Sequence, residues 1–189
     1  RAQLPSDLSG KKGWQSSRDD FSTMSIVGSK LLKQAITRRV SEAAKGKCRW
    51  LTIGLDLVSE DGGTEAELVA LVDLRTGKVL RWTGKSYPTT EQERRLIQII
   101  DLKSHMVKLA NQRVLILGCH DLNMFSPRAW ANQTKSSPRR QRCNAMKKVV
   151  RQFNPTLVLQ HPHETDSPRI WRMPWLSFVK GFEIRNWVS

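Results

Sequence analysis

The sequence predicts an α/β fold. Short runs of aliphatic and β-branched residues, such as "RWLTIGLDLV" (49–58) and "RVLILG" (113–118), are typical of buried strands. Between such runs lie segments whose apolar residues recur three and four positions apart, as over 25–44, and these predict amphipathic helices. After the helix over 25–44 come three strands, and helices then alternate with strands, an order typical of α/β chains.

The N-terminal part divides into an arm and a helix. Residues 1–22 are polar and show no apolar periodicity, so they are interpreted as an arm or loop. Over 25–44 one apolar stripe is flanked by basic residues, which predicts a basic amphipathic helix that ends at Gly46. A helix of this kind can also bind a membrane surface. We expect it to pack on a single α/β domain that spans 23–189.

The core of that domain is predicted over 49–167. Strand 49–58 is followed by strands 67–74 and 78–84, which are joined around Gly77, so the three form an antiparallel meander. Thr90 and Glu93 have capping-box spacing and predict a long helix that reaches Leu109.

The second half alternates strands and helices. Strand 113–118 leads through a polar loop to a helix over 140–153, which ends before Asn154-Pro155, and strand 156–160 follows. The Trp-rich segment 168–189 is expected to include a short helix. Because strand–helix–strand crossovers make neighbouring strands parallel, strands 113–118 and 156–160 should end at the same edge of the sheet.

Histidine and carboxylate residues follow both of these strands, at the edge where open α/β sheets bind ligands. Cys119, His120 and Asp121 come after the first strand. After the second come His161, His163, Glu164 and Asp166. We therefore expect these side chains to converge.

The order of elements over about 50–170 resembles the ribonuclease H-like superfamily, and the resemblance is one of topology. Its nucleases and polynucleotidyl transferases carry a carboxylate on the first strand, one early in the first helix, one at the end of the fourth strand and a final acid or histidine after the fifth. The corresponding residues here are Asp56, Glu91 or Glu93, Asp121, and then His163, Glu164 and Asp166. The resemblance implies a mixed sheet with a carboxylate cluster at its edge.

That cluster predicts metal-dependent cleavage of phosphodiesters. Two divalent ions can activate water, neutralise the phosphate and stabilise the leaving oxygen. Mg²⁺ or Mn²⁺ is expected because both favour carboxylate oxygens. The predicted metal ligands are Asp56, Asp121 and Asp166. Glu93 and His163 complete the predicted catalytic set, since a histidine can bind metal or move a proton.

The net charge of +15 predicts a polyanionic partner, DNA or RNA above all. Residues 126–151 contain eight lysines or arginines and no acid, and they begin beside the predicted site. Trp130 lies in the same stretch and could stack on a base. The predicted nucleic-acid-binding residues are Arg128, Trp130, Lys135, Arg139, Arg140, Arg142, Lys147 and Arg169.

The cysteines and the hydropathy of the sequence bear on the cellular location of the protein. Cys48, Cys119 and Cys143 are widely spaced, so neither a disulfide framework nor a thiolate zinc site is indicated, and an intracellular, cytoplasmic location is expected. No run approaches the roughly 20 apolar residues that span a bilayer. Protein partners could bind the N-terminal arm or the Trp-rich C-terminus.

The sequence therefore favours a metal-dependent nuclease or a related phosphoryl-transfer enzyme, and several alternatives stay open. One is a non-catalytic nucleic-acid-binding module of a larger complex, and another is a regulatory domain that binds a nucleotide-type ligand. Cys119 with a histidine could form a thiolate–imidazole pair for nucleophilic catalysis. Three histidines, His120, His161 and His163, could instead hold a single metal ion.

Overall fold

The computed structural model describes residues 2–4, 6–8, 17–36, 38–129, 137–162 and 168–189. The chain divides into two compact units. Unit 1 comprises Arg1–Gly84 and Thr90–Ile100, and unit 2 comprises Lys85–Thr89 and Asp101–Ser189. The predicted mixed α/β class is confirmed, but in the described residues the strands form two four-stranded sheets instead of one mixed sheet.

Two helices open unit 1. Helix α1 spans Arg18–Ala35 and α2 spans Arg38–Ala44, so the predicted N-terminal helix is present but begins earlier and is interrupted. Ser17 caps α1, since its side chain accepts from the Asp20 N–H while the Asp20 carboxylate accepts from the Ser17 N–H. The sequence interpretation overlooked this capping box, and the prediction of an arm over residues 18–22 is therefore wrong.

The sheet of unit 1 contains the predicted meander. Strands β1 (Ala2–Gln3), β2 (Trp50–Val58), β3 (Glu65–Asp73) and β4 (Lys78–Gly84) lie in that order. β2, β3 and β4 are antiparallel, whereas β1 joins β2 in parallel. Leu57 and Leu68 on the sheet pack with Met24 of α1 in the core of this unit.

The long helix predicted after Thr90 is wrong. Residues 90–95 form turns, and Leu96 bridges Glu65 in a parallel direction. The Glu65 N–H donates to the Arg95 carbonyl at 2.9 Å, and the Ile97 N–H donates to the Glu65 carbonyl at 2.8 Å. The run "LIQI" (96–99) is buried throughout, which an extended segment against a sheet permits and a one-sided helical stripe does not.

The sheet of unit 2 consists of β5 (Met106–Leu109), β6 (Gln112–Leu117), β7 (Leu157–Gln160) and β8 (Asn186–Val188), in that order. β5 occupies the end of the predicted helix and forms a hairpin with β6 through a turn in which Ala110 has a φ of 48°. β6, β7 and β8 run parallel, as predicted for the first two.

Two helices cover this sheet. Helix α3 spans Pro138–Phe153; the Ser137 side chain caps its start and Asn154, at a φ of 50°, ends it. Helix α4 spans Pro168–Phe182 and contains Pro174. Both contact the short 3₁₀ helix Asp121–Phe125, and their apolar residues share one core with β6 and β7. In the described part of the chain, no helix is both long enough and apolar enough to cross a bilayer.

We predict that Gly84→Ala destabilises unit 1. A Cβ at this position would overlap the Glu67 carbonyl oxygen and lie 2.9 Å from the Cα of Leu68, so the backbone of β3 would have to move. Overpacking of this kind costs roughly 1–3 kcal/mol. A lowered midpoint of thermal unfolding, followed by circular dichroism, would show the effect.

Gly181→Ala is the matched control. Gly181 lies in α4, and a Cβ there meets no atom within 4 Å. Alanine is favoured over glycine in a helix, so this variant should unfold at the same temperature or a higher one. If Gly84→Ala were as stable as Gly181→Ala, the close contact between β3 and β4 would be contradicted.

Candidate functional site at the strand ends of unit 2

The loop after β6 is organised around the carboxylate of Asp121, which is fully buried. Its Oδ2 accepts from the Gly118 N–H at 2.9 Å. Its Oδ1 accepts from the N–H groups of Ser86 and Tyr87, both at 2.8 Å. Hydrogen bonds from backbone N–H groups stabilise the charged form of a carboxylate. Asp121 thus ties the segment 85–89 to the end of β6.

His105 forms the second part of this buried network. Its Nδ1 lies 2.7 Å from the Ile116 carbonyl oxygen, and its Nε2 lies 2.6 Å from Ser86 Oγ. Nδ1–H therefore donates to the carbonyl and Nε2 accepts from the serine hydroxyl, the pattern of a neutral imidazole. Burial lowers the pKa of His105, and the Asp121 carboxylate, 3.9 Å away, acts in the opposite direction.

The pKa values of Asp121 and His105 are shifted in opposite directions by the same cause, which is burial. Burial raises the pKa of the Asp121 carboxyl, while His105 and the N–H donors of Ser86, Gly118 and Tyr87 counteract that rise. Desolvation disfavours a charge of either sign, so it favours the neutral acid and the neutral imidazole. The two groups are thus coupled inside the core of unit 2.

The inner face of α3 packs on this network. Arg139 is buried, with its guanidinium carbon 5.0 Å from the centre of the Tyr87 ring. Burial lowers the pKa of Arg142, and the Asp121 carboxylate acts to raise it. Burial also raises the pKa of the Cys143 thiol, which follows these arginines on the helix. Two arginines of α3 are therefore partly internal.

Cys119 and His161 lie at neighbouring strand ends, as expected for parallel strands. The His161 N–H donates to the Leu117 carbonyl at 2.9 Å, and Gln160 Nε2 donates to the Cys119 carbonyl at 3.0 Å. Burial lowers the pKa of His161. Cys119 is 4% exposed, and Lys85, next to Ser86, is 2% exposed. This edge thus contains a buried thiol and a buried amine.

The predicted catalytic residues are distributed over both units. Asp56 lies on β2 and Glu93 in the turn 90–95, both in unit 1, whereas Asp121 belongs to unit 2. His163 and Asp166 lie outside the described residues, as does Glu164. Glu67, which lies directly opposite Asp56 in the β2–β3 register, was not predicted.

The predicted Mg²⁺ or Mn²⁺ stays a prediction. Among the described residues, no three histidine, cysteine or acidic side chains are grouped so that they could hold a metal ion. Both oxygens of Asp121 accept backbone N–H groups, and the side chain is fully buried.

Six of the eight predicted nucleic-acid-binding residues are described. Arg140 and Lys147 are half-buried on α3, beside the inward-facing Arg139 and Arg142. Arg128 and Arg169 are 41 positions apart in sequence but line the same pocket of about 350 Å³, between the end of the 3₁₀ helix Asp121–Phe125 and the start of α4. Trp130 and Lys135 lie outside the described residues.

Unit 1 has a larger cavity of about 760 Å³ near the end of α2, which was not predicted. Its basic lining residues are Lys45, Lys47, Arg49 and Arg75. Arg49 forms an ion pair with Asp73 at 3.2 Å. The residues that line the cavity therefore carry a net positive charge.

The sequence interpretation missed the segment that completes the network of unit 2. Lys85, Ser86 and Tyr87 follow β4 directly in "GKSYP" and were not singled out. His105 falls within the long helix predicted up to Leu109, whereas in the structure it ends the 3₁₀ helix Leu102–His105 and is fully buried. The only hint in the sequence is that a lysine and a serine stand between the end of a strand and a proline.

Comparison with known proteins adds little. No protein-family model and no curated protein matches the sequence. Among solved structures, the NitN amidase from Neterenkonia sp. AN1 is similar over 84% of this chain, with 14% identity and a TM-score of 0.49. The chain spans 56% of the length of that amidase. A likeness this distant implies no shared activity.

We predict that His105 makes the stability of unit 2 depend on pH. The ordinary pKa of 6.5 applies in the unfolded chain, and burial lowers the folded-state pKa. The stability that neutral His105 provides is therefore full above pH 6.5, the unfolded pKa. It is lost as the pH falls from 6.5 to the folded-state pKa. The loss is at most about 1.4 kcal/mol per pH unit for a single proton.

His105→Gln should flatten the decline in unfolding free energy between pH 7 and pH 5, measured by denaturant titration. The variant is expected to be less stable than wild type at pH 7.5, because the hydrogen bonds to Ser86 and Ile116 are altered. His161→Gln, which changes a less buried histidine, should flatten the decline less. Parallel profiles for wild type and His105→Gln would contradict the prediction.

Proposed function

We propose that this protein binds nucleic acid along a basic row of α3 that lies beside the buried face of the helix. The observation that supports this is a row of three basic side chains, Arg140, Lys147 and Arg151, spaced seven and four residues apart. Positions with this spacing lie on one side of a helix. The row is offset by one residue from the inward-facing Arg139, Cys143, Met146 and Val150. The helix thus packs with one side and presents cations beside it.

The charges in this row influence one another. Burial lowers the pKa of Lys147, and the positive charges of Arg140 and Arg151 lower it further. Three cations in one row raise the local positive potential, which attracts a polyanion.

The start of α3 adds to the same positive potential. Arg139, Arg140 and Arg142 lie near the N-terminus of the helix, and its first turn contains no acid. The helix dipole is positive at this end, so cations there do not stabilise the helix and acids would. An arrangement that is unfavourable for the free helix becomes favourable when phosphates are bound.

The spacing of the row also fits a phosphate backbone. With about 1.5 Å of rise per residue, Arg140 and Lys147 are about 10 Å apart along the helix axis, and Lys147 and Arg151 are about 6 Å apart. Phosphates of one strand recur about every 3.4 Å along a duplex axis. The three cations would therefore match phosphates two to three nucleotides apart.

Metal-dependent cleavage of nucleic acid, with a ribonuclease H-like arrangement, is also part of the proposal. Support comes from the order of the elements and from Asp56, which lies opposite the second acid Glu67 on β3. Like charges directly opposite each other are destabilising, and the Gln92 side-chain amide donates to Glu67 Oε1 at 3.0 Å. The division of the strands into two sheets does not support this part.

We expect Arg140→Gln and Lys147→Gln each to weaken binding several-fold and to reduce the slope of log K against log salt by about one. The reason is that each variant removes one phosphate contact and the release of its counter-ion. Fluorescence anisotropy with labelled single-stranded and duplex DNA and RNA, across a series of salt concentrations, measures both quantities.

Lys108→Gln is the matched control. Lys108 is an exposed lysine on β5 of the same unit, and its removal changes the net charge equally. It should leave the salt slope unchanged. Equal losses in all three variants would mean that only the total charge matters, and the proposed role of α3 would then be wrong.

The same samples test cleavage with Mg²⁺, Mn²⁺ or a chelator. Asp56→Asn is the informative variant, because substitution of Asp121 would disturb the loop that it organises. Metal-dependent cutting that Asp56→Asn abolishes supports the nuclease, and binding without cutting supports the non-catalytic module.

A second candidate function, nucleophilic catalysis by Cys119, is favoured by a separate observation. Asp121 accepts from the N–H groups of Ser86 and Gly118, whose chain neighbours are the buried Lys85 and Cys119, so the backbones of these two residues lie near the same carboxylate. A nearby ammonium group lowers the pKa of a thiol and makes it more nucleophilic. Lys85 would then serve in place of the imidazole that the sequence suggested.

We predict that Lys85→Met slows the alkylation of Cys119 by iodoacetamide near pH 7 and shifts its pH midpoint upwards. Methionine keeps the length of the side chain but removes the charge that would stabilise the thiolate. Peptide mass spectrometry follows each cysteine separately, and the exposed Cys48 is the internal reference. A Cys119 rate that does not depend on Lys85 would exclude this candidate.

A further inference from the structure

We infer that the pocket between Arg128 and Arg169 binds a phosphate monoester joined to a nucleoside. Such a ligand deepens the proposed function and rests on it in one respect, since the positive charge of α3 in the same unit would attract it. The pocket has a volume of about 350 Å³. Small-molecule sites usually measure about 300–1,000 Å³, so one nucleotide is a ligand of suitable size.

One side of the pocket is suited to phosphate. Arg128 and Arg169 come from different elements, the loop after the 3₁₀ helix and the first turn of α4. Guanidinium groups bind phosphate oxygens through paired hydrogen bonds. Asn123 and Ser126 line the same pocket and can donate further hydrogen bonds. The start of α4 contributes the positive end of a helix dipole to these side chains.

The other side is apolar. Ile170, Met173 and Pro174 line it, and Ile170 and Met173 are 51% and 37% exposed. A flat, apolar ligand surface, such as that of a nucleobase, would cover them. Inorganic phosphate alone would leave this wall exposed, so a nucleoside is expected as the second part of the ligand.

Because of Pro174, a backbone carbonyl on the apolar side can accept a hydrogen bond from a ligand. In a regular helix the N–H of residue 174 would donate to the carbonyl of Ile170. Proline has no N–H, so that helical bond cannot form. The Ile170 carbonyl can therefore accept from an amino or hydroxyl group of the ligand. Phosphate, apolar surface and hydrogen-bond donor together describe a nucleotide.

The shared chemistry has two sources, a free mononucleotide and the phosphorylated end of a nucleic acid chain. Isothermal titration of the full chain with adenosine 5′-monophosphate, adenosine and inorganic phosphate tests the first source. Oligonucleotides with and without a terminal phosphate test the second. The monophosphate should bind more tightly than adenosine or phosphate alone. A preference for phosphorylated ends identifies the polymer, and equal binding of both oligonucleotides identifies the free nucleotide.

Arg128→Gln and Arg169→Gln should each weaken binding of the monophosphate about tenfold or more, because each removes a charge-assisted hydrogen bond. Arg172→Gln is the control, since Arg172 is exposed on α4 and does not line the pocket. Met173→Ser, which removes apolar surface without adding charge, should weaken binding of the monophosphate while inorganic phosphate binds as weakly as before.

Three results would overturn the inference: no saturable binding of the monophosphate, binding that survives both arginine variants, or equal affinity for monophosphate and inorganic phosphate. Failure of the pocket inference can be distinguished from failure of the proposed function. Loss of polymer binding in Arg140→Gln and Lys147→Gln, with no mononucleotide binding, retains the α3 proposal alone. Mononucleotide binding without polymer binding retains only the pocket.

Discussion

The buried carboxylate of Asp121 is the interaction on which the arrangement of unit 2 depends. It holds three backbone N–H groups from two segments that are far apart in sequence. A buried carboxylate is costly unless hydrogen bonds replace its hydration. In return, these bonds fix the loop after β6, and with it the positions of Cys119, of the 3₁₀ helix Asp121–Phe125 and of the segment that contains Lys85.

This carboxylate also explains how so basic a helix as α3 packs at all. Its inner face brings Arg139 and Arg142 towards the core of unit 2, where uncompensated cations would be destabilising. The ring of Tyr87 and the charge of Asp121 offset these two guanidinium groups. The tyrosine is held by the same carboxylate. Asp121 therefore stabilises both the loop after β6 and the packing of α3. The row of Arg140, Lys147 and Arg151 on that helix is proposed to bind phosphates.

Much of the fold could be predicted because its elements follow local patterns. The meander, the parallel pair β6 and β7, and helices α3 and α4 each carry a clear apolar period or cap. The segment 90–109 could not be predicted, because Thr90 and Glu93 imitate a helix start while the run that follows is buried on all sides in tertiary contacts. The sequence could place Asp121 at the end of a strand, but it could not supply the partners of its carboxylate. A carboxylate after a strand indicates the ligand edge of a sheet equally well whether it binds metal or holds a loop, and only its partners Ser86, Tyr87 and Gly118 distinguish the two.

The structural use of Asp121 changes what the chemistry at this edge requires. Asp121 accepts three backbone N–H groups in a fully buried position, so other groups at this edge are more accessible to a substrate. The described candidates are the Cys119 thiol, the Lys85 amine and the half-buried His161, and Asp121 positions the first two through the backbone. Basic residues remain the most numerous feature around them, on α3 and in the pocket with Arg169. The proposed recognition of phosphate groups depends on these basic residues and does not require a metal ion held by Asp121.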